Sequence, residues 1–214
     1  MTFFRQLALK FTLACAVLLS AAAPSTSHAA GPADTVEAFH NDLLSVMKKS
    51  EDLGISGRYE NFLNHLDRYF HMPLMVSFVS GKHWAKANKD QRIKLNQAAR
   101  RMSAGELAVL FSGYSGETFK TLDTQVIKDK SVLVKTELER VSDSSVNVTY
   151  RLRNFGENWR IIDVLLDGSI SQLLKRRDEY HRTLEDKGIE GLIALLNAKA
   201  DEILNTNEAA NRAK

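Results

Sequence analysis

The feature that most constrains this chain is a double switch in the spacing of its apolar residues. From Asp34 to about Gly113 they recur every third or fourth position, from Glu117 to Leu166 mostly every second, and from Ile170 onward at helical spacing again. A period near 3.6 belongs to a helix with one buried face, and a period of 2 to a strand with one wet face. A block of helices followed by a block of strands predicts an α+β architecture, not alternating βαβ units. Helices laid on one face of a curved antiparallel sheet either close a solid core or leave a cavity between the layers. Periodicity does not choose between these outcomes.

Local signals divide the blocks further. Asp34 with Glu37 matches a capping box, and Val36, Phe39, Leu43 and Met47 follow on one face. Gly54 to Gly57 is expected to break this helix, and Tyr59, Phe62, Leu63, Leu66 and Tyr69 mark a second. Pro73 suits the first turn of a short third helix, Leu74 to Val79, which is apolar nearly all round and so expected to be buried. Asn88 with Gln91 opens a fourth, with Leu95, Ala98, Ala99, Met102, Val109 and Leu110 as its buried stripe and an end near Gly113.

Among the strands, Val132, Val134, Thr136 and Leu138 alternate with Lys135, Glu137 and Glu139. Val146, Val148, Tyr150 and Leu152 alternate with Asn147, Thr149, Arg151 and Arg153. Gly156-Glu157-Asn158 turns the chain into Trp159 to Leu166, whose denser apolar content predicts a central strand. Glu117 to Ile127 adds another, with Phe119 and Leu122 on its covered side. Helices over Ile170 to Leu184 and Ile189 to Leu204 flank a break at Gly188, and the polar tail Asn205 to Lys214 is expected to fray.

Residues 1–29 read as a secretory leader. Arg5 and Lys10 open it, Phe11 to Ala23 is an apolar run, and Ser27-His28-Ala29 offers small residues at the cleavage positions, so cleavage is expected after Ala29. The run is too short for a comfortable membrane span of about 20 apolar residues. Lipidation at Cys15 is the weaker alternative. Cleavage removes Arg5, Lys10 and the only cysteine from a chain of net charge +3. Near-neutrality argues against a dedicated nucleic-acid binder, and the lack of cysteine excludes a disulfide framework or a Cys-rich zinc site. Residues 30–214 are expected to form one domain: a helical front 34–113, a strand-rich part 117–167 and C-terminal helices 170–204.

The residues offer little catalytic chemistry. Gly113-Tyr114-Ser115-Gly116 resembles a nucleophile elbow only until Glu117 takes the place of the last glycine. His40, His65, His71, His83 and His181 lack metal-ligand spacing, so no metal or cofactor is expected. Asp163, in phase with Trp159 and Ile161, is either a buried acid with a raised pKa or, more commonly, a structural acid bonded to a neighbouring amide. Lys175-Arg176-Arg177 is a solvated helical face or one that meets a partner. The expectation is a binding protein rather than an enzyme.

Motifs along nearly the whole remainder resemble the MlaC family of periplasmic lipid-binding proteins, the toluene-tolerance auxiliary components. They are Tyr69-Phe70-His71-Met72-Pro73, Gly81-Lys82-His83-Trp84 and Asp90-Gln91-Arg92, then Tyr150-Arg151-Leu152-Arg153, Asn158-Trp159, Asp163-Val164, Gly168-Ser169 and Lys187-Gly188-Ile189-Glu190-Gly191-Leu192-Ile193. His71 stands where the family is usually acidic, Ile162 where it is usually aromatic, and Ser169-Ile170-Ser171 where it usually reads Val-Ser. The hopanoid-associated HpnM subgroup shares these motifs. The resemblance implies a nuclear-transport-factor-2-like sheet with a helical subdomain and an apolar cavity between. It also implies a periplasmic carrier that maintains outer-membrane lipid asymmetry. Such a carrier holds phospholipid (or hopanoid) and passes it between an inner-membrane ABC transporter complex and an outer-membrane lipoprotein complex.

Physical chemistry says what such a carrier needs. Two tails of roughly 15 methylenes, at about 0.8 kcal/mol each, have a transfer term near ~24 kcal/mol from water. That exceeds the ~18–21 kcal/mol ceiling of non-covalent affinity, so the working exchange is bilayer to cavity, shielded by docked protein partners. The residues expected to line the cavity are Val132, Val134, Val148, Tyr150, Leu152, Val164 and Leu166 from the strands, with Leu74, Phe78, Trp84, Leu110 and Phe119 from elsewhere. Their aliphatic character suits acyl chains better than a flat hopanoid. The rival readings are an isomerase-like enzyme, with Asp163 and Tyr150 as its only available pair, and an envelope adaptor with a filled core.

Overall fold

The computed structural model describes residues 30–127 and 130–212, so the leader and its cleavage position lie outside the described residues. Helix α1 (Pro32–Lys48) starts ahead of the expected Asp34. Pro32 fits the first turn, where a missing N–H leaves no bond unmade. Asp34 therefore serves not as the cap but as the third helical residue, its Oδ2 accepting from the Gly31 N–H at 2.8 Å. The break after α1 falls at Lys49, not at Gly54–Gly57. Helix α2 (Ser50–Tyr69) begins at once, and Gly54 (φ 57°, ψ −173°) only kinks it. Buried Arg58 fixes this junction, donating from its guanidinium to the Ser50 and Ala108 carbonyls, each at 2.8 Å.

Helix α3 (Met72–Lys86) is longer than expected and half covered. Met72, Val76 and Ser80 face inward, while Phe78 is 41% exposed, because only one side of the helix meets other helices. Helix α4 (Lys89–Leu110) opens with the expected box: the Gln91 N–H donates to Asn88 Oδ1 at 2.9 Å and the Asn88 N–H to Gln91 Oε1 at 3.0 Å. Its buried stripe runs on through Ala104, Gly105 and Ala108, not through Val109 and Leu110, the latter 72% exposed. Gly105 sets that direction by admitting Ile203, whose Cγ2 would lie 3.4 Å from a Cβ there.

Strands β1 (Thr118–Ile127), β2 (Ser131–Glu139), β3 (Val146–Phe155), β4 (Asn158–Leu166) and β5 (Ile170–Ser171) form an antiparallel sheet in chain order. β4 is consequently not central. Its apolar density reflects cover on both flanks, since short β5 pairs with one end and Phe70 bridges to Ile161 further along. Leu122 falls at a register shift in β1 and is exposed rather than covered. The final helix, α5 (Gln172–Arg212), bends at Gly188 where a break was expected. It then continues through Asn205 to Arg212, so this part of the tail is helical and not frayed.

Two apolar cores result. In one, Val36 and Phe39 of α1 pack on Val132, Val134, Val148, Tyr150, Leu152 and Ile161 of the sheet. In the other, α2, α3, α4 and α5 enclose Phe62, Leu95, Met102, Leu184, Leu192 and Leu196. No described helix is long and apolar enough to cross a membrane.

Candidate functional site

The twelve residues expected to line a cavity divide among different surroundings. Val132, Val134, Val148, Tyr150 and Leu152 are buried together beneath α1, with Val164 and Leu166 half-buried at the rim of that core. Phe119 stacks on the His40 ring, centroids 3.9 Å apart. Trp84 carries the Arg92 guanidinium over its ring at 5.3 Å. Leu74 is half-buried on α3, Phe78 lies under the Arg177 guanidinium at 5.5 Å, and Leu110 faces solvent.

An apolar cleft lies elsewhere, inside the helical layer. α3 contributes Met72, Met75, Val76, Val79 and Ser80, α4 contributes Leu95, Ala99, Met102 and Ser103, and α5 contributes Leu173, Arg176, Tyr180, Leu192 and Leu196. Its free volume is about 80 Å³, well below the roughly 300–1,000 Å³ of small-molecule sites. Methionine walls are adaptable, having three rotatable bonds and no branch to lock a shape. The near-uniform apolarity of Leu74 to Val79 is the sequence signal for this wall, and it does not by itself distinguish a cleft from simple burial.

One cation borders the cleft. Arg176 donates to both carboxylate oxygens of Glu106 (2.6 and 2.5 Å), to Glu179 at 3.1 Å and to the Tyr180 hydroxyl at 3.3 Å. Burial disfavours its charge, but Tyr180, Glu106 and Glu179 outweigh burial and hold its pKa above the ordinary value. Burial likewise pushes the Tyr180 hydroxyl up to about 12. The wall of helices is clasped at the far end of α3, where Lys82 and His83 both meet Glu185, at 2.8 and 3.1 Å. A larger groove between the start of α1 and the β3–β4 turn is polar, lined by Asp34, Arg68, Glu157, Asn158 and Arg160 among others.

The acid and tyrosine that an isomerase-like site would need do not converge. Tyr150 pairs with Val164 on the α1 side of the sheet, and its hydroxyl lies 3.0 Å from His40 Nε2. Asp163 pairs with Arg151 on the opposite side. There it accepts from the Val164 N–H (2.8 Å), the Leu173 N–H (3.1 Å) and the Ser171 hydroxyl (2.6 Å), pinning β5 and the start of α5 to β4. It is the structural acid of the two readings. Among the described residues, no group of acidic, His or Cys side chains could hold a metal ion.

The family model of the MlaC protein matches residues 37–198. This chain belongs to the MlaC family. Within solved structures, the MlaC-family chain is similar to a phospholipid-binding protein from Ralstonia solanacearum, determined in complex with a phospholipid. The two share 16% identity over 81% of this chain and 99% of the other, with a TM-score of 0.70. That likeness establishes a common α+β fold.

Proposed function

We propose that this MlaC-family protein is a periplasmic phospholipid carrier whose acyl chains occupy the cleft between α3, α4 and α5. The observation that carries the reading is this cleft: an apolar, methionine-walled space with a single cation, Arg176, at its edge. Family membership and the phospholipid-bound Ralstonia neighbour support it. At about 80 Å³ the cleft does not hold two tails, so loading requires α3 to move away from α4 and α5. The chains then replace packed side chains at nearly the same hydrophobic contact, which keeps loading and release close to balance. The barrier lies in exposing the chains on the way. Docked partners lower it, and an inner-membrane ABC transporter complex and an outer-membrane lipoprotein complex are the expected pair. Flexible walls suit branched, mobile acyl chains better than a rigid hopanoid.

The test is extraction and mass spectrometry of lipid that copurifies with the protein from its native source. Masses spaced by acyl-chain differences across several head groups are expected. A single pentacyclic hopanoid mass, or fully folded protein without lipid, would overturn the reading.

A further inference from the structure

The outer face of the sheet, away from α1, is electrostatically uneven. On its β1–β2 half the cations are neutralised: Lys135 pairs with Asp123 at 3.0 Å and Lys120 with Glu139. On its β3–β4 half, Arg153 stands directly across from Arg160, which also borders the polar groove beside the start of α1, with Arg151 next on the same face of β3. None of these three arginines has an ion-pair partner among the described residues, and Arg151 Nε is buried with no hydrogen-bond acceptor. The neighbouring acids form no ion pair with them. Asp163, opposite Arg151, spends its carboxylate on Ser171, Val164 and Leu173, and Glu157 in the adjoining turn pairs with neither strand. Like charges directly across a strand pair are destabilising, so this arrangement weakens the sheet in the free protein.

We propose that this face of the β3–β4 hairpin is a docking surface for an extended acidic segment of a protein partner. Arginine offers planar, bidentate donors that fit carboxylates. Arg151 and Arg153 are two residues apart along β3, about 6.8 Å, which is also the spacing of alternate side chains on an extended peptide. Arg160 adds a third position across the strand pair. A bilayer fits less well, because membrane-surface binding needs free apolar groups beside the cations. The one aromatic here, Phe155, is held between the His71 ring, 4.0 Å away, and the Arg153 guanidinium at 5.9 Å. His71 also caps α3, its Nδ1 accepting from the Leu74 N–H at 3.1 Å, so the patch adjoins the helix that walls the cleft.

This inference rests on the carrier reading only for why a partner docks, and the two fail separately. Binding of a fluorescein-labelled peptide of alternating Glu and Thr to the full chain is read by anisotropy, beside sedimentation with phosphatidylglycerol vesicles. Salt-sensitive peptide binding is expected, weakened about tenfold or more in R153E/R160E, while copurified lipid is unchanged. The R153Q/R160Q variant is expected to melt at a higher temperature than the parent and still lose the peptide. Equal peptide affinity in parent and R153E/R160E, vesicle binding through these arginines without peptide binding, or a lower melting temperature of R153Q/R160Q would each overturn the proposal. Absence of lipid from the parent protein would fail the carrier reading and leave the peptide result standing.

Discussion

At the scale of single residues, the burial of two histidines, His40 and His65, makes the fold sensitive to acid. Burial pushes the His40 pKa down to about 3, and burial also lowers that of His65 against the opposing pull of Asp42. Unfolded histidine takes up its proton near 6.5, so below that pH the unfolded chain binds more protons than the folded one. For His40, stability therefore falls as pH drops from about 6.5 toward 3, by up to about 1.4 kcal/mol per pH unit, and His65 acts in the same direction. Glu185 works in a lower window. Lys82 and His83 hold it at about 2 against an ordinary 4.5, so its contribution is present above 4.5 and lost as pH falls toward 2. Thermal melts of His40→Asn should show a flatter decline than those of the parent between pH 6.5 and about 3, with only the Glu185 part of the loss below pH 4.5 unchanged.

Asp163 gives a second residue-scale prediction. Asn keeps the shape but removes the charge that accepts from two backbone amides and a hydroxyl. Asp163→Asn should lower stability by about 1.5–3 kcal/mol in urea titrations, as for hydrogen bonds to charged groups. Lipid content should stay unchanged. Loss of lipid in a stably folded variant would give Asp163 a part in lipid binding.

At the scale of elements, the sequence was most legible where a local rule had no tertiary competitor. The box at Asn88 and Gln91 and the period-2 strands are local features, and the structure carries them as read, while the break expected at Gly188 is a kink within one helix. Boundaries set by contact between distant segments were not legible. Val109 and Leu110 continue the helical period, yet they face out because Gly105 draws α5 against the other side of α4. Trp159 to Leu166 reads as a central strand because short β5 and the Phe70 bridge shelter it without needing long strands of their own. Gly188 adopts φ 62° and ψ −160°, backbone that side chains avoid, although nothing lies within 4 Å of a Cβ placed there. Gly188→Ala should therefore destabilise by about 1–3 kcal/mol through strain alone, measured by chemical denaturation.

At the scale of the whole molecule, the two cores divide the work. Period-2 alternation identifies a covered sheet face, but it does not say whether side chains or ligand cover it. Here α1 covers it with Val36 and Phe39, and Leu152 is 0% exposed. The cleft formed instead where α3, α4 and α5 meet. Its lining comes from segments more than 100 residues apart in sequence, such as Met75 and Leu196, and no single window of sequence shows that juxtaposition. Overpacking the sheet core should be felt as stability: Leu152→Trp is expected to lose about 1–3 kcal/mol in denaturant titrations while retaining any lipid.

The most direct measurement is native mass spectrometry of lipid occupancy in the parent protein and in Val79→Trp, both purified without delipidation. Val79 lies on the cleft wall of α3, so the indole should occupy the space into which acyl chains enter. Phospholipid-bearing parent protein, with a folded Val79→Trp variant largely free of lipid, is the predicted result. Equal phospholipid occupancy in a folded Val79→Trp protein would contradict the assignment of the cleft as the lipid site.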